Sequence, residues 1–110
     1  MAILCIDDDP QFCDAIATVL ADAGYSTQFA LTAGDGLQRA RESDLAIVDI
    51  HLRGLSGEEV VRAIKEVRDI PVILTSGFEP DEGKLAARRC GAQHFLAKPF
   101  DLDELLKVVA

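Results

Sequence analysis

The chain has 110 residues, of which 49% are apolar, and its 19 acidic against 11 basic side chains give a formal net charge of −8. This length fits a single domain, residues 1–110, with enough buried surface to fold without disulfides or a structural metal. The negative charge disfavours binding to nucleic-acid phosphates or to anionic lipid.

The first half of the chain predicts two strand–helix units. An apolar run at 3–6 is typical of a strand buried on both faces. Apolar residues then recur at helical spacing over 12–23, and Asp9 stands in position to cap that helix. The mixed segment 26–30 predicts an edge strand, and 33–42 predicts a weaker helix.

The second half continues the same alternation. Ser56 and Glu59 have the spacing of a capping box at the start of a helix. The predicted elements are a strand at 45–48, a helix through 60–67, a strand at 72–74, a weaker helix at 81–90, a short strand at 95–97 and a helix at 102–109. Five such units predict one parallel sheet with helices on both faces, an α/β fold.

Cysteine spacing and hydropathy bear on the compartment. Cys5, Cys13 and Cys90 have no C-x-x-C or Cys/His metal spacing, so we expect small buried side chains in a reducing environment. Neither an apolar run of about 18 residues nor a signal-like start is present. We therefore expect a cytoplasmic protein, or the cytoplasmic part of something longer.

Polar side chains follow four of the predicted strands. In an open parallel sheet, ligands bind beyond the carboxyl ends of the strands, which lie at one edge. The residues there are Asp7, Asp8 and Asp9 after the first strand, Asp49 after the third, Thr75, Ser76 and Gly77 after the fourth, and Lys98 and Pro99 after the fifth. Carboxylates, a hydroxyl and an ammonium should therefore meet.

Such a cluster has a specific chemical requirement. Two carboxylates about 5 Å apart repel by roughly 3 kcal/mol at an effective dielectric constant of about 20, so three of them need a cation. Oxygen ligands with room for water and phosphate favour Mg²⁺. A carboxylate beside Mg²⁺, faced by a lysine and a hydroxyl, predicts a site that receives a phosphoryl group.

Four motifs, in the order ILCIDDDP, LAIVDIHLRGLSG, PVILTSG and FLAKPF, resemble those of the receiver domains of two-component response regulators. The resemblance covers essentially the whole chain. It implies a flavodoxin-like (βα)5 fold, with a five-stranded parallel sheet of order 2-1-3-4-5.

The resemblance also implies a role for each acid. Asp49 would be the phosphoacceptor. Asp8 and Asp49 would bind Mg²⁺ directly, together with the backbone carbonyl of His51, and Asp7 would act through a water molecule.

The remaining implied roles concern the phosphoryl group and a switch. Ser76 and the backbone N–H of Gly77 would bind phosphate oxygens, and Lys98, joined to Pro99 by a cis bond, would pair with the phosphate. Ser76 would then move inward on phosphorylation and Phe95 would fill the vacated space, which alters a face for a partner.

Three positions modify this expectation. Arg53 stands where the family usually has proline, so the loop after Asp49 should be looser. His51 and Phe78 stand where the family tunes hydrolysis, and we expect this bulky pair to slow loss of the phosphoryl group.

The implied partner is a sensor histidine kinase or a histidine phosphotransfer domain, with an unknown downstream effector and neither nucleic acid nor membrane. The chain would be a signalling switch that catalyses only its own phosphorylation and dephosphorylation. A phosphorylation-dependent homodimer is compatible with it. So are a stand-alone regulator, part of a longer regulator and part of a hybrid kinase.

Two other functions remain open from sequence alone. Asp7-x-Asp9 after an apolar strand resembles the opening motif of haloacid-dehalogenase-like phosphatases, although Pro10 and the short chain argue against that fold. The same fold could also serve as an interaction module that needs no phosphorylation, but such a module would be expected to lack part of the site.

Overall fold

The computed structural model describes residues 1–52, 55–77, 79–98 and 100–109. The expectations for the loop at Arg53, for Phe78 and for the bond to Pro99 fall outside these residues.

Strands and helices alternate along the described chain as predicted, with small shifts at their ends. They are β1 (Ala2–Ile6), α1 (Pro10–Asp22), β2 (Ser26–Ala30), α2 (Ala33–Ala40), β3 (Leu45–Asp49), α3 (Gly57–Val67), β4 (Val72–Ser76), α4 (Pro80–Cys90), β5 (His94–Ala97) and α5 (Leu102–Val109). The helix predicted at 33–42 ends two residues early, at Ala40, and β5 begins one residue earlier than predicted, at His94.

All strand pairs are parallel, and the order across the sheet is β2-β1-β3-β4-β5. This is the order that the resemblance implied, and β2 is an edge strand as predicted. Because the strands are parallel, their carboxyl ends lie at one edge. The registers pair Asp49 with Thr75 and Ser76 with Ala97, so the polar ends of neighbouring strands are level with one another.

Two apolar clusters, one on each face of the sheet, explain the unbroken apolar runs. Alternate side chains of a strand point to opposite faces, so Leu4 and Ile6 join a cluster with α2, α3 and α4. Ile3 and Cys5 join a second cluster with α1 and α5. Both faces of β1, β3 and β4 are covered, which is why these three strands carry almost no polar residues before their ends.

Helix starts follow the predicted capping residues. The Asp9 carboxylate accepts hydrogen bonds from the backbone N–H groups of Gln11 and Phe12, and Pro10 is the first helical residue. Ser56 and Glu59 form a complete capping box at α3. Each cap of this kind typically contributes about 1 kcal/mol to stability.

The start of α3 lies against the end of β3. The Gly57 backbone N–H donates to the Ile50 carbonyl at 2.7 Å. A Cβ on Gly57 would overlap the backbone of Asp49 and Ile50. Glycine at this position therefore lets the helix approach the backbone that carries Asp49.

Two further predictions concern cysteines and membrane crossing. Cys5, Cys13 and Cys90 are all unpaired by disulfides and buried, as expected. Among the described residues, no helix combines the length and the apolar character needed to cross a bilayer.

We expect Gly57→Ala to lower the free energy of unfolding by about 1 to 3 kcal/mol, because backbone atoms of Asp49 and Ile50 must shift to admit the methyl group. Urea denaturation measures this change. Gly34→Ala in α2 is the matched control, since a Cβ there meets nothing within 4 Å. It should be neutral or raise stability by up to about 1 kcal/mol. A Gly57→Ala protein as stable as wild type would contradict the close approach.

Candidate functional site

The candidate site lies where β1, β3, β4 and β5 end. Asp7 follows β1, Asp49 is the last residue of β3, Ser76 is the last residue of β4, and Lys98 follows β5. The sheet therefore brings the residues predicted from four separate motifs to one edge. The backbone N–H of Lys98 donates to the Ser76 carbonyl at 2.7 Å, which ties the β5 end to the β4 end.

Three acids converge at this edge. Ligand oxygens of Asp7, Asp8 and Asp49 all lie within 4.8 Å of one another. Asp8 is exposed, whereas Asp7 and Asp49 are only 1% and 6% exposed. Two of the three carboxylates are thus largely removed from water, where a charge needs nearby compensation.

Lys98 supplies this compensation from the neighbouring strand end. Its Nζ lies 2.7 Å from Oδ2 of Asp7 and 3.6 Å from Oδ2 of Asp49. The shorter contact is a charge-assisted hydrogen bond, and the longer one is an ion pair without a hydrogen bond at that distance. One ammonium therefore lies between both buried acids.

The buried acids have different partners on their other oxygens. Oδ1 of Asp7 accepts from the Asp9 backbone N–H at 3.0 Å, so both of its carboxylate oxygens are engaged. Oδ1 of Asp49 accepts from the His51 backbone N–H at a longer 3.3 Å. Asp49 is the less tightly held of the two.

The site's electrostatics follow from this burial. Burial raises the pKa of Asp49 above its usual value, the charge of Lys98 opposes that rise and the charge of Asp7 adds to it. For Lys98, burial alone lowers the pKa, but the hydrogen bond to Asp7 and the charge of Asp49 outweigh burial, so the pKa is raised. Lys98 is therefore charged at neutral pH, and ionised Asp49 is under electrostatic strain.

The donor set fits a hard divalent cation. Carboxylate oxygens are the ligands that Mg²⁺ prefers, and three of them converge here. A cation beside Asp49 would favour its ionised form and so oppose the effect of burial. The described acids are thus close enough together to hold one divalent cation such as Mg²⁺.

The hydroxyl predicted at the β4 end is buried beside the neighbouring strand. Ser76 is 0% exposed and pairs with Ala97, immediately before Lys98. Thr75 is also buried, and its hydroxyl lies 3.5 Å from the Val48 carbonyl within the sheet. Gly77 is exposed at the end of the strand.

Phe95, the predicted aromatic switch residue, lies on β5 opposite Leu74 and is half-buried. Its ring lies directly against Gly83 of α4, where any Cβ would overlap it. Gly83 was not singled out by sequence reasoning, because nothing local marks a glycine that makes room for a ring on another element.

Phe12 is a second residue that sequence reasoning assigned only to the apolar face of α1. In the structure, Nζ of Lys98 lies 4.1 Å from the centroid of the Phe12 ring. Phe12 follows the capping residue Asp9 by three positions, so its nearness to the acids was foreseeable. Its contact with Lys98 depends on how α1 and β5 pack.

Comparison with known sequences identifies the family. A family model described as response regulator receiver domain matches residues 3–110. The nitrogen assimilation regulatory protein NtrX of Azorhizobium caulinodans is 38% identical over 96% of this chain and 24% of its own length. Protein PilH of Pseudomonas aeruginosa is 32% identical over 97% of this chain and 93% of its own length. The chain thus spans a quarter of one relative and nearly all of another.

Solved structures agree. A CheY-like response regulator receiver domain protein from Methanospirillum hungatei superposes with a TM-score of 0.90 at 29% identity, over 98% of this chain and 89% of that one. A response regulator from Burkholderia pseudomallei, solved with a phosphorylated aspartic acid, a calcium ion and citrate, has a TM-score of 0.88 at 25% identity, over 99% and 66% of the two chains.

Three findings lead to one conclusion. The family model matches nearly the whole chain, the solved structures have the same fold, and the acids and the lysine lie at the strand ends. The chain belongs to the response regulator receiver domain family of two-component signal transduction.

Proposed function

We propose that residues 1–110 act as a phosphoacceptor domain in which Asp49 takes a phosphoryl group from a phosphohistidine of a partner histidine kinase or phosphotransfer domain. The observation that carries the proposal is the position of Asp49 among two further acids and one lysine, at the end of a buried strand. An Oδ atom of Asp49 would attack phosphorus, and the bond from phosphorus to the histidine nitrogen would break. The imidazole would keep that electron pair.

The chain's charges suit this transfer. Mg²⁺, when bound, would neutralise charge on the transferring oxygens. Asp8, Asp49 and the His51 backbone carbonyl are the proposed direct ligands. Asp7 would contribute through water, in keeping with hydrogen bonds that already engage both of its carboxylate oxygens.

Lys98 is the proposed partner of the phosphoryl oxygens. Its Nζ lies 3.6 Å from the carboxylate that would accept the group, so a short movement would bring it to a new oxygen. The Ser76 hydroxyl and the Gly77 N–H, both at the end of β4, would bind the other oxygens. The chain would catalyse only its own phosphorylation and dephosphorylation.

The competing hypothesis, a haloacid-dehalogenase-like phosphatase, would need Asp9 as a second catalytic acid. The Asp9 carboxylate instead caps α1, accepting from the Gln11 and Phe12 backbone N–H groups. A module that needs no phosphorylation is disfavoured because the acids, hydroxyl and lysine are all present. A buried acid with a raised pKa is also costly to keep without a function.

The proposed output is a change of surface on the side of α4 and β5. The Ser76 hydroxyl would turn toward the phosphoryl group, and the Phe95 ring would move into the space that it leaves. The half-buried position of the ring, between solvent and the core cluster, supports such a movement. The effector that binds this surface would be a protein rather than nucleic acid or membrane, and the chain could bind it as a monomer or as a homodimer. A cytoplasmic location suits the free thiols.

Incubation with acetyl phosphate and Mg²⁺ should add one phosphoryl group to the wild-type chain, seen as a single mass increment in the intact protein. Asp49→Asn should show none, and chelation of Mg²⁺ should abolish the increment in the wild type. Asp14→Asn, which alters an exposed acid on α1, is the matched control and should be phosphorylated normally. An increment that persists in Asp49→Asn would assign the acceptor elsewhere.

With Mg²⁺ chelated at neutral pH, Asp49→Asn should be more stable than wild type. The raised pKa means that the folded state binds the Asp49 proton more tightly than the unfolded chain, so ionisation favours unfolding. This cost is complete above the raised folded pKa and disappears as pH falls toward the unfolded value near 3.8. The gain in unfolding free energy should therefore shrink between pH 7 and pH 4 in urea titrations.

Mg²⁺ should reduce the stability advantage of Asp49→Asn over wild type. At a concentration about ten times its dissociation constant, the ion should stabilise wild type by about 1.4 kcal/mol and Asp49→Asn by less. Equal stabilisation of both proteins would contradict a direct role of Asp49 in metal binding.

Gly83→Ala should displace the Phe95 ring without phosphorylation, because the added methyl group overlaps the ring position. A 4-fluorophenylalanine at position 95, followed by ¹⁹F NMR, reports the ring's environment. In Gly83→Ala the resonance should move toward its position in the phosphorylated wild type, whereas Gly34→Ala should leave it unchanged. If phosphorylation itself does not move the resonance, Phe95 is not part of the switch.

A further inference from the structure

The first turn of α1 presents an aromatic ring to the site's lysine. The Phe12 backbone N–H donates to the capping carboxylate of Asp9 at 3.4 Å, which holds this residue directly after the acidic segment. The half-buried Phe12 ring lies with its centroid 4.1 Å from Nζ of Lys98. A negative ring face at this distance attracts a cation.

A second aromatic side chain contacts the Phe12 ring. Phe100 meets it in an edge-to-face arrangement, with centroids 6.0 Å apart and planes at 90°. This geometry is one of the two preferred for aromatic pairs. Phe100 also lies just beyond Lys98 in the chain, so the residues after β5 contribute both the cation and the ring that packs against its aromatic partner.

Among the described residues, two carboxylates and one aromatic ring lie close to the ammonium of Lys98. Asp7 and Asp49 are carboxylates at 2.7 and 3.6 Å, and Phe12 is a ring face at 4.1 Å. The attraction of both carboxylates for the ammonium changes when a cation or a phosphoryl group binds beside them. The ring does not, because it is neutral and takes no part in that chemistry.

We propose that Phe12 is a positioning residue for Lys98: its ring face holds the ammonium beside Asp49 while the carboxylate partners of that ammonium change. This inference rests on the proposed function only for the consequence in phosphorylation, since the contact itself exists in the unphosphorylated chain. Lysine has a flexible four-carbon stem, so a fixed ring face limits the positions that Nζ explores.

The plain alternative is that Phe12 only fills space beside the cluster of α1 and α5, against which it packs. The effect of the shape of the Phe12 side chain can be separated experimentally from the effect of the negative charge on its ring face. Stepwise fluorination of phenylalanine withdraws charge from the ring face with little change in size, whereas Phe12→Leu removes the ring and retains an apolar side chain.

The first measurement tests the contact without any phosphorylation. The chain has four lysines, so ¹³Cε-labelled lysine gives a simple spectrum, in which Lys98→Arg identifies the Lys98 signal. Protons above a ring face are shifted upfield, so the Lys98 Hε signal should lie upfield of the other three. Phe12→Leu should return it to their range. A Lys98 signal with no upfield shift, or one that persists in Phe12→Leu, would overturn the proposal.

The second measurement tests the consequence. Phenylalanine with none, one, two or three ring fluorines is incorporated at position 12, and the initial rate of phosphorylation by acetyl phosphate is followed by intact mass at saturating Mg²⁺. The rate should fall stepwise, by about two- to fivefold in total, as expected for loss of a partly exposed cation–π contact. Phe12→Tyr should retain most of the rate, and trifluorophenylalanine at the exposed Phe29 should have no effect.

The two ways to fail can be distinguished. A wild-type chain that is phosphorylated normally, with a rate that is constant across the fluorinated series, would overturn the role of Phe12 and leave the proposed function standing. A wild-type chain that takes up no phosphoryl group would overturn the proposed function and, with it, the effect on rate.

Discussion

The structure depends on one electrostatic arrangement, the pairing of a single ammonium with two buried carboxylates at the carboxyl edge of the sheet. Asp7 and Asp49 have almost no access to water, and Lys98 contacts both. Removing such charges from water costs several kcal/mol each unless they are compensated. The compensation is unequal, because Asp7 receives the hydrogen bond and Asp49 only the weaker ion pair. Asp49 therefore remains the acid whose ionised form gains most from an additional positive charge.

The rest of the fold positions these three groups. Apolar strands covered on both faces carry the acids and the lysine to the same edge, and the parallel register sets them level. Gly57 allows α3 to approach the backbone of Asp49, and the capped start of α1 follows directly after the acids. Close packing of this kind transmits small displacements, so a displacement of Asp49 would also shift the elements in contact with it.

If Asp49 accepts a phosphoryl group as proposed, this arrangement would suit a switch. A carboxylate kept under electrostatic strain gains stability when a cation or a phosphoryl group changes the local charge, and that gain can drive a rearrangement nearby. Phe95 lies on β5, two strands from Asp49, with its half-buried ring against Gly83 and the edge of the core cluster. The chain belongs to the receiver domain family, and it covers a quarter of the length of one relative and nearly all of another. Several effector functions are therefore compatible with this one candidate site.

The sequence by itself determined the strands, the sheet's class, the capping residues and the polar residues that follow four of the strands, because these depend on local hydrophobic pattern and spacing. Family motifs supplied the sheet order. Only the tertiary structure decided that Lys98 lies closer to Asp7 than to Asp49, that Phe12 faces Lys98, and that Gly57 and Gly83 admit close neighbours. The contacts of Lys98 join elements far apart in the chain, whereas those of Gly57 and Gly83 join consecutive elements that pack closely. No local pattern encodes them, since their distances are set by how helices pack on the sheet.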